Sequence, residues 1–541
     1  MQGLMMDFPL TLSAIFRRAE ALFGGHPIAT RQPDKTIHRY SYGEFAARTR
    51  RLARVLQELG VRPGDRVATL AWNHREHLEA YFAAPLIGAV LHTLNLRLHP
   101  EELVYIINHA EDRVVFADCS LLPLFERIRP HVTVKTVVVI GAADPLPAGS
   151  LDYESVIGSA RPLEDLPELD ERTAAALCYT TGATGRPKGI LYSHRSLMLH
   201  SMGVSLGDVM SISERDAIMP VVPMFHANAW GLPYAAVMVG SKLVLPGPHL
   251  DPASLTELCE RERVTIVAGV PTIWMGLLQW LDACRDRHDL SSIKMMLVGG
   301  AAVPQKMIEA YETRHGLKIV QGWGMTEMSP VGTLGHLPSA LDAADSDEQY
   351  RYRAKQGRPL PFVEIRARNE EGLVPWDGRT MGELEVRGPW VARAYFRQDG
   401  ADRFTSDGWF RTGDIVTIDE RGTIDVQDRT KDLIKAGGEW ISSIALENAL
   451  MGHPAVAEAA VVAIPHAKWG ERPLAAVVVR PGATVDAAEL RQLLADRFPK
   501  FWVPDAFEFI DSIPRTAAGK FLKSALRERF KGYRLGGQIG V

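Results

Sequence analysis

Apolar residues recur along this chain in two alternating rhythms. Residues 43–59, GEFAARTRRLARVLQEL, place Phe45, Leu52, Val55, Leu56 and Leu59 at helical spacing, and Gly60 supplies a stop signal. The run RVATLAW (66–72) then reads as a buried strand, and RVVFADC and TVVVIGA repeat the pattern of a β-branched run ending in polar or glycine residues. Further on, KLVLPG, VTIVAGVPTIW and IKMMLVGGAAVP each carry an apolar strand into a Gly/Pro turn. This alternation predicts α/β layers. Ligands of open α/β sheets gather at the carboxyl ends of the strands. The turns Gly299-Gly300-Ala301 and Gly269-Val270-Pro271 are therefore candidate pocket walls.

After about residue 380 the texture changes. GELEVRG, GWFRTGD, RGTIDVQDR and KDLIKAGGEWIS are short β-rich pieces separated by Gly and Asp. From Ile444 the order becomes helix (ALENALMGH), strand (VAEAAVVAIP), strand (PLAAVVVRPG), helix (AAELRQLLADRF), a compact α+β module of ordinary domain size. The charge cluster DRTKD, Asp428–Asp432, reads as the boundary.

Composition narrows the function classes. The 541 residues are 46% apolar and 23% charged, ordinary for a soluble globular protein. With 61 basic against 65 acidic residues the net charge of −4 leaves no nucleic-acid footprint; Arg48-Thr-Arg-Arg51 reads as a solvated helix face. Cys119, Cys178, Cys259 and Cys284 are scattered without a C-x-x-C pair, which predicts neither a zinc site nor disulfides and fits a reducing cytoplasm. The N-terminus has no basic n-region and carries Asp7 early, unlike a signal peptide. No apolar run reaches the ~18 residues of a membrane span; residues 229–245 come nearest and are cut by Ser241 and Lys242.

Three segments carry chemistry. CYTTGATGRPKG (178–189) packs glycines, hydroxyls and a lysine as if around phosphate. Its spacing, Gly182-x-x-Gly185-x-x-Lys188-Gly189, is not the G-x-x-x-x-G-K-[ST] of a P-loop. QGWGMTEMSP (321–330) sets an aromatic, a hydroxyl and a carboxylate close together, and GWFRTGD (408–414) ends in an aspartate after a Gly turn. A nucleotide site needs phosphate donors, a carboxylate for Mg²⁺, an aromatic face for the base and an acid for the ribose. Each segment alone is weak.

Taken in order, they resemble the adenylate-forming superfamily, which comprises acyl- and aryl-CoA synthetases, luciferases and the adenylation domains of peptide synthetases. The resemblance covers essentially the whole chain and rests on YTTGATGRPKG (179–189), GWGMTE (322–327), GELEVRG (382–388), WFRTGD (409–414), DRTKDLIKAGGEWIS (428–442), ALE (445–447) and PRTAAGK (514–520). It implies a large N-terminal domain of layered α/β subdomains (1–428), a hinge (429–432, pivoting at Lys431) and a small mobile α+β C-terminal domain (433–541). ATP, Mg²⁺ and CoA are the implied cofactors. Thr180, Thr181, Gly182, Thr184, Gly185 and Lys188 would grip the β,γ-phosphates. Glu327, helped by Thr180, would bind Mg²⁺, and Thr326 would contact the α-phosphate. Trp323, flanked by Gly322 and Gly324, stands along the adenine face where the family usually has tyrosine, and Asp414 would take the ribose hydroxyls with Arg429 beside it. Ala183 departs from the family's usual threonine and removes one hydroxyl from the loop. Lys520 matches the adenylation lysine, while Lys435, Gly437, Gly438 and Glu439 match the face used in thioester formation.

The acid is less legible. In amino-acid-activating relatives an aspartate pairs with the substrate ammonium; here PMFHANAW (223–230) puts His226 in that place, which disfavours amino acids because a buried ammonium would be unpaired. The segment most resembles that of bacterial medium- or long-chain fatty acyl-CoA synthetases, and also ligases of short thioether acids such as 3-methylmercaptopropionate. In the former, a tryptophan at the place of Trp230 gates an acyl tunnel and the residue at His226 lies beside the reacting group. Gly299, Gly300 and Ala301 complete the expected acid wall. A luciferase is the more distant reading. A silent acyl-binding relative would be expected to lack Glu327, Asp414 or Lys520, and a kinase would make ADP rather than AMP. The apolar positions of residues 1–20, Leu4, Met5, Met6, Phe8, Leu10, Leu12, Ile15 and Phe16, predict a homodimer contact or packing on the chain's own N-terminal domain.

Overall fold

The computed structural model describes residues 1–180, 186–284, 288–398, 400–437, 439–515 and 521–533. The β-branched runs of the first half become two sheets. In one, Arg66–Leu70 lies between Val90–Thr93 and Asp112–Asp118, all parallel, and Ala174–Tyr179 pairs parallel to Val90–Thr93. In the other, Lys242–Leu245, Ala217–Pro220, Ile266–Gly269, Met295–Gly299 and Ile319–Gly324 run parallel as neighbours in that order. An antiparallel sheet follows, from Glu364–Asn369 to Ile424–Arg429. The α/β reading of the large N-terminal domain holds.

The amphipathic helix read at 43–59 spans Tyr42–Glu58 and buries Phe45, Leu52, Val55 and Leu56 as its spacing requires. Ser41 caps it and Glu44 reaches back to complete a capping box. The solvated face expected of Arg48–Arg51 is instead half-buried. Arg48 pairs with the fully buried Glu79 at 2.7 Å and with Glu154 at 2.7 Å, and Arg50 pairs with Glu20 at 2.7 Å. The cause is the neighbouring helix Arg75–Leu86, whose carboxylates enter the core and need cations there.

The C-terminal domain is α+β, as expected. Helix Ser443–Met451 and strands Val456–His466 and Gly470–Val479 form its centre, with helix Ala487–Ala495 outside. Strand Ala506–Phe509 and helix Lys523–Arg529, absent from the sequence reading, complete it. Between the last N-terminal strand and this domain, Asp428 accepts hydrogen bonds from Ser443 N at 2.8 Å and Ser443 Oγ at 2.5 Å. The partly buried Lys523 lies 2.7 Å from Glu447.

The helix Leu12–Leu22 enters the core through Leu12, Ile15 and Phe16. Its start is held by His194, whose Nδ1 accepts the Leu12 N–H at 3.2 Å. Burial pushes the His194 imidazole down to about 4, and His77 and His200 down to about 3, from an ordinary 6.5. Below pH 6.5 the unfolded chain takes up protons that the folded protein refuses, so stability is full above that pH and lost as the pH falls. Each histidine contributes about 1.4 kcal/mol per pH unit within its window. His194→Gln keeps an acceptor for Leu12. Between about pH 6 and pH 4.5 its urea-unfolding free energy is expected to fall less steeply than wild type, by about 1.4 kcal/mol per unit; an unchanged slope contradicts this assignment.

Candidate active site

The carboxyl ends of three strands converge on one cavity of about 350 Å³. Strand Ala174–Tyr179 delivers Thr180. Thr180 N donates to Lys188 O at 2.9 Å and Lys188 N donates to Thr180 Oγ1 at 3.1 Å, closing the base of the glycine-rich loop. Thr180, Arg186 and Lys188 line the cavity. Thr181, Gly182, Thr184 and Gly185 lie outside the described residues, and so does Ala183.

Strand Ile319–Gly324 brings Gly322, Trp323 and Gly324 to the wall, followed by Thr326 and Glu327 in a short turn. Trp323 Nε1 donates to Asp414 Oδ2 at 2.8 Å, and Arg429 Nε stands 2.6 Å from Asp414 Oδ1. Asp414 and Arg429 face each other directly across an antiparallel pair, which is why they meet. The tryptophan in the tyrosine's place thus supplies an N–H that holds the buried carboxylate as well as a flat face. Thr326 and Glu327 are both buried, and Thr326 O accepts the Tyr192 hydroxyl at 2.6 Å. Glu327 Oε1 accepts the Tyr395 hydroxyl at 2.9 Å, while Lys188 Nζ lies 4.5 Å from the centre of the Tyr395 ring. Glu327 and Thr180 together offer hard oxygen donors, the chemistry that suits Mg²⁺.

The far end of the cavity is apolar. Gly299 and Gly322 pair across adjacent strands and form a shelf without side chains. A Cβ on Gly299 would stand 3.0 Å from Gly322 O and 3.2 Å from the Trp230 ring, so the indole rests there because residue 299 is glycine. His226, Ala227, Leu297, Gly300 and Val331 surround it. Ala301 is exposed and outside the lining, and Gly269 packs against Trp274 rather than facing the cavity.

From the C-terminal side, Lys431, Asp432 and Phe521 line the same cavity. Lys520, the residue before Phe521, lies outside the described residues, as does Gly438. Lys435 is exposed in the hairpin Ile434–Ala436/Glu439–Ile441 and does not reach the cavity. Its N–H donates to Glu471 Oε2 at 2.8 Å, Gly437 N donates to Trp469 O at 2.8 Å, and Glu439 pairs with Ala436. Tyr395, Arg403 and Phe521 line the cavity without having been singled out in the sequence. Tyr395 and Arg403 stand outside the motifs, and Phe521 directly follows PRTAAGK.

A nucleotide-sized cavity between an α/β body and a small α+β domain defines the adenylate-forming class. The chain belongs to the AMP-binding enzyme family, whose model matches residues 16–396, with the AMP-binding enzyme C-terminal domain matching residues 445–520. It is 51% identical to the long-chain-fatty-acid–CoA ligase of Thermus thermophilus, over 98% of this chain and 97% of that protein. It is 46% identical to the 3-methylmercaptopropionyl-CoA ligase of Ruegeria pomeroyi, over 98% and 99%. Among solved structures, the anthranilate CoA ligase AuaEII in complex with anthranoyl-AMP is similar with a TM-score of 0.85 at 26% identity, covering 97% of this chain and 98% of that one. ATP-bound MatB from Rhodopseudomonas palustris gives 0.82 at 29% identity, covering 97% and 99%.

Tyr395 is the donor that orients Glu327. Tyr395→Phe is expected to lower kcat/KM for ATP by about tenfold, in line with loss of a hydrogen bond to a charged group, while leaving Tm nearly unchanged. Steady-state kinetics beside a thermal scan checks this; wild-type kinetics would remove Tyr395 from the site.

Proposed function

We propose that this protein joins a carboxylic acid to coenzyme A with cleavage of ATP to AMP and diphosphate, and that the acid is a medium- or long-chain fatty acid. One observation carries the reading. A single cavity is lined by the phosphate-side Thr180 and Lys188, by Glu327, by Trp323 and Arg429, which the buried Asp414 joins from behind, and by the apolar Trp230–Gly299 wall. Relatives 51% and 42% identical bear the names long-chain- and medium-chain-fatty-acid–CoA ligase, which supports the choice of acid.

The acid carboxylate attacks the α-phosphorus, and an acyl-adenylate forms as diphosphate leaves. The CoA thiol then attacks the acyl carbon and AMP departs. Lys188 and the loop beside it hold the leaving diphosphate, Thr326 contacts the α-phosphate, and Asp414 with Arg429 holds the ribose against Trp323. Mg²⁺, held by Glu327 with Thr180, would supply charge neutralisation for the phosphates. Lys520 stabilises the charge that builds during adenylate formation. A short thioether acid is the second reading, favoured by the relative at 46% identity and by the modest size of the cavity. Identifying AMP and pyrophosphate as products, with acids from propionate to palmitate, tests the reaction; ADP as product would overturn it.

The C-terminal domain (433–541) turns about residues 429–432 between the half-reactions. The lining of the cavity by Lys431, Asp432 and Phe521, with Lys435 and Gly437 outside it, supports this as the adenylating orientation. The exposed Met1, Leu4, Met5, Met6 and Phe8 support a homodimer in which a second copy covers them. Four unpaired cysteines fit a cytoplasmic setting, and no helix among the described residues is long and apolar enough to cross a membrane.

The two lysines are expected to fail differently. Lys520→Ala should slow adenylate formation by about 10²-fold or more and still convert supplied acyl-adenylate and CoA to thioester. Lys435→Ala should keep adenylate formation and slow thioester formation. Equal loss of both half-reactions in both variants, with circular dichroism unchanged, would refute the two-orientation account.

Chain length is expected to act through Trp230. Each methylene buried is worth about 0.8 kcal/mol, so kcat/KM should climb with length until the site is filled, and Trp230→Ala should move that limit. A flat profile in both proteins rules out an apolar acid site there.

A further inference from the structure

The turn that carries Trp230 is built in an unusual way. Ala227, Asn228, Ala229, Trp230 and Gly231 follow one another in the left-handed region, with φ of 36°, 44°, 49°, 57° and 75°. Only glycine adopts that conformation without penalty; residues with a Cβ are strained there, and Asn tolerates it better than most. Four such residues in succession persist only where the surroundings hold them.

Asn228 provides the hold. Its side chain is fully buried, and both ends of its amide are engaged. Nδ2 donates to the Tyr234 hydroxyl at 3.0 Å, and Oδ1 accepts from the Cys178 thiol. Burial pushes Cys178 up to about 11, so the sulfur keeps its proton and remains a donor. Both partners are fixed. Tyr234 packs against Tyr81 and Phe82 with ring centres 5.3 and 5.6 Å apart, and Cys178 lies in strand Ala174–Tyr179. At the end of the turn Gly231 is closely enclosed: a Cβ there would stand 2.5 Å from His200 Nδ1. Strain favours departure from the left-handed region, and the two hydrogen bonds of the amide oppose it.

We infer that Asn228 is a positioning residue whose amide holds residues 227–231 in the left-handed form and Trp230 on the glycine shelf, so that it helps to set which acid lengths are admitted. The inference rests on the reading of Trp230 as the wall of the acid site. Trp230, Leu297 and Val331 are apolar members of the cavity lining, and Trp230 stands against Gly299; on the acid-site reading a long acyl chain meets the indole there and needs it to leave the shelf. Weakening the hold therefore favours long acids over short ones.

Asn228→Ala removes the amide and keeps the strain; Asn228→Gly removes the amide and relieves the strain. The ratio of kcat/KM for laurate to that for butyrate is expected to rise about tenfold in the Ala variant and by clearly less in the Gly variant. KM for ATP should stay within about twofold in both. Cys178→Ser, which retains a donor to Oδ1, should keep the wild-type ratio. A merely structural role predicts lower Tm in both variants with the ratio unchanged, or equal shifts in both; either result overturns the inference. Should Asn228→Ala fail to fold, Tyr234→Phe removes the Nδ2 acceptor while keeping the ring, and an unchanged ratio there is equally decisive. If Trp230→Ala moves the length profile and the Asn228 variants do not, this inference fails and the acid-site reading stands. If Trp230→Ala is also without effect, both fall.

Discussion

The Asp414 carboxylate binds together three parts of the molecule that would otherwise meet only loosely. One oxygen takes the indole N–H of Trp323, from the end of a parallel strand; the other faces the guanidinium of Arg429, the last residue of the antiparallel sheet before the chain leaves for the C-terminal domain. A buried carboxylate is costly unless paired, and here both pairs are in place. The aromatic face, the polar acid and the root of the C-terminal domain are therefore referred to one point. The cavity exists as a defined shape because these cannot drift apart.

Around that point the site is divided by chemistry. One end presents hydroxyls, a lysine and a carboxylate; the other presents two bare glycines, an indole and aliphatic side chains. The division follows from topology, since strands from two sheets contribute their ends and each ends in a different kind of turn. Acid and nucleotide can thus be gripped separately while their reacting atoms are brought close.

Much of this was legible in the chain, for reasons particular residues show. The α/β body could be read because its strands are continuous apolar runs closed by glycine, and Tyr42–Glu58 because its apolar stripe is clean. The ion pairs of Arg48 could not. Helix Arg75–Leu86 is buried all round, so its sequence carries no stripe to say that Glu79 points inward at a cation. The four-residue strand Ala506–Phe509 offered too little pattern to be seen. In the site, Trp323, Glu327, Asp414 and Arg429 stand in contiguous motifs, which is why the sequence marks them; Tyr395 reaches Glu327 from a loop with no motif of its own. Ala301 was expected on the wall and is exposed, beyond the left-handed turn at Gly300. The left-handed run at 227–230 left no trace in the stretch PMFHANAW (223–230), which has no glycine.

The glycine shelf has a consequence for how this enzyme could diverge. A side chain grown from Gly299 presses on a main-chain carbonyl of the neighbouring strand, and that carbonyl must shift within its sheet to make room. The opposite wall is a short turn whose indole can be replaced without disturbing a strand. Change in diet is therefore open to such a chain from one side only: the sheet is inherited, and the turn is where novelty can be tried.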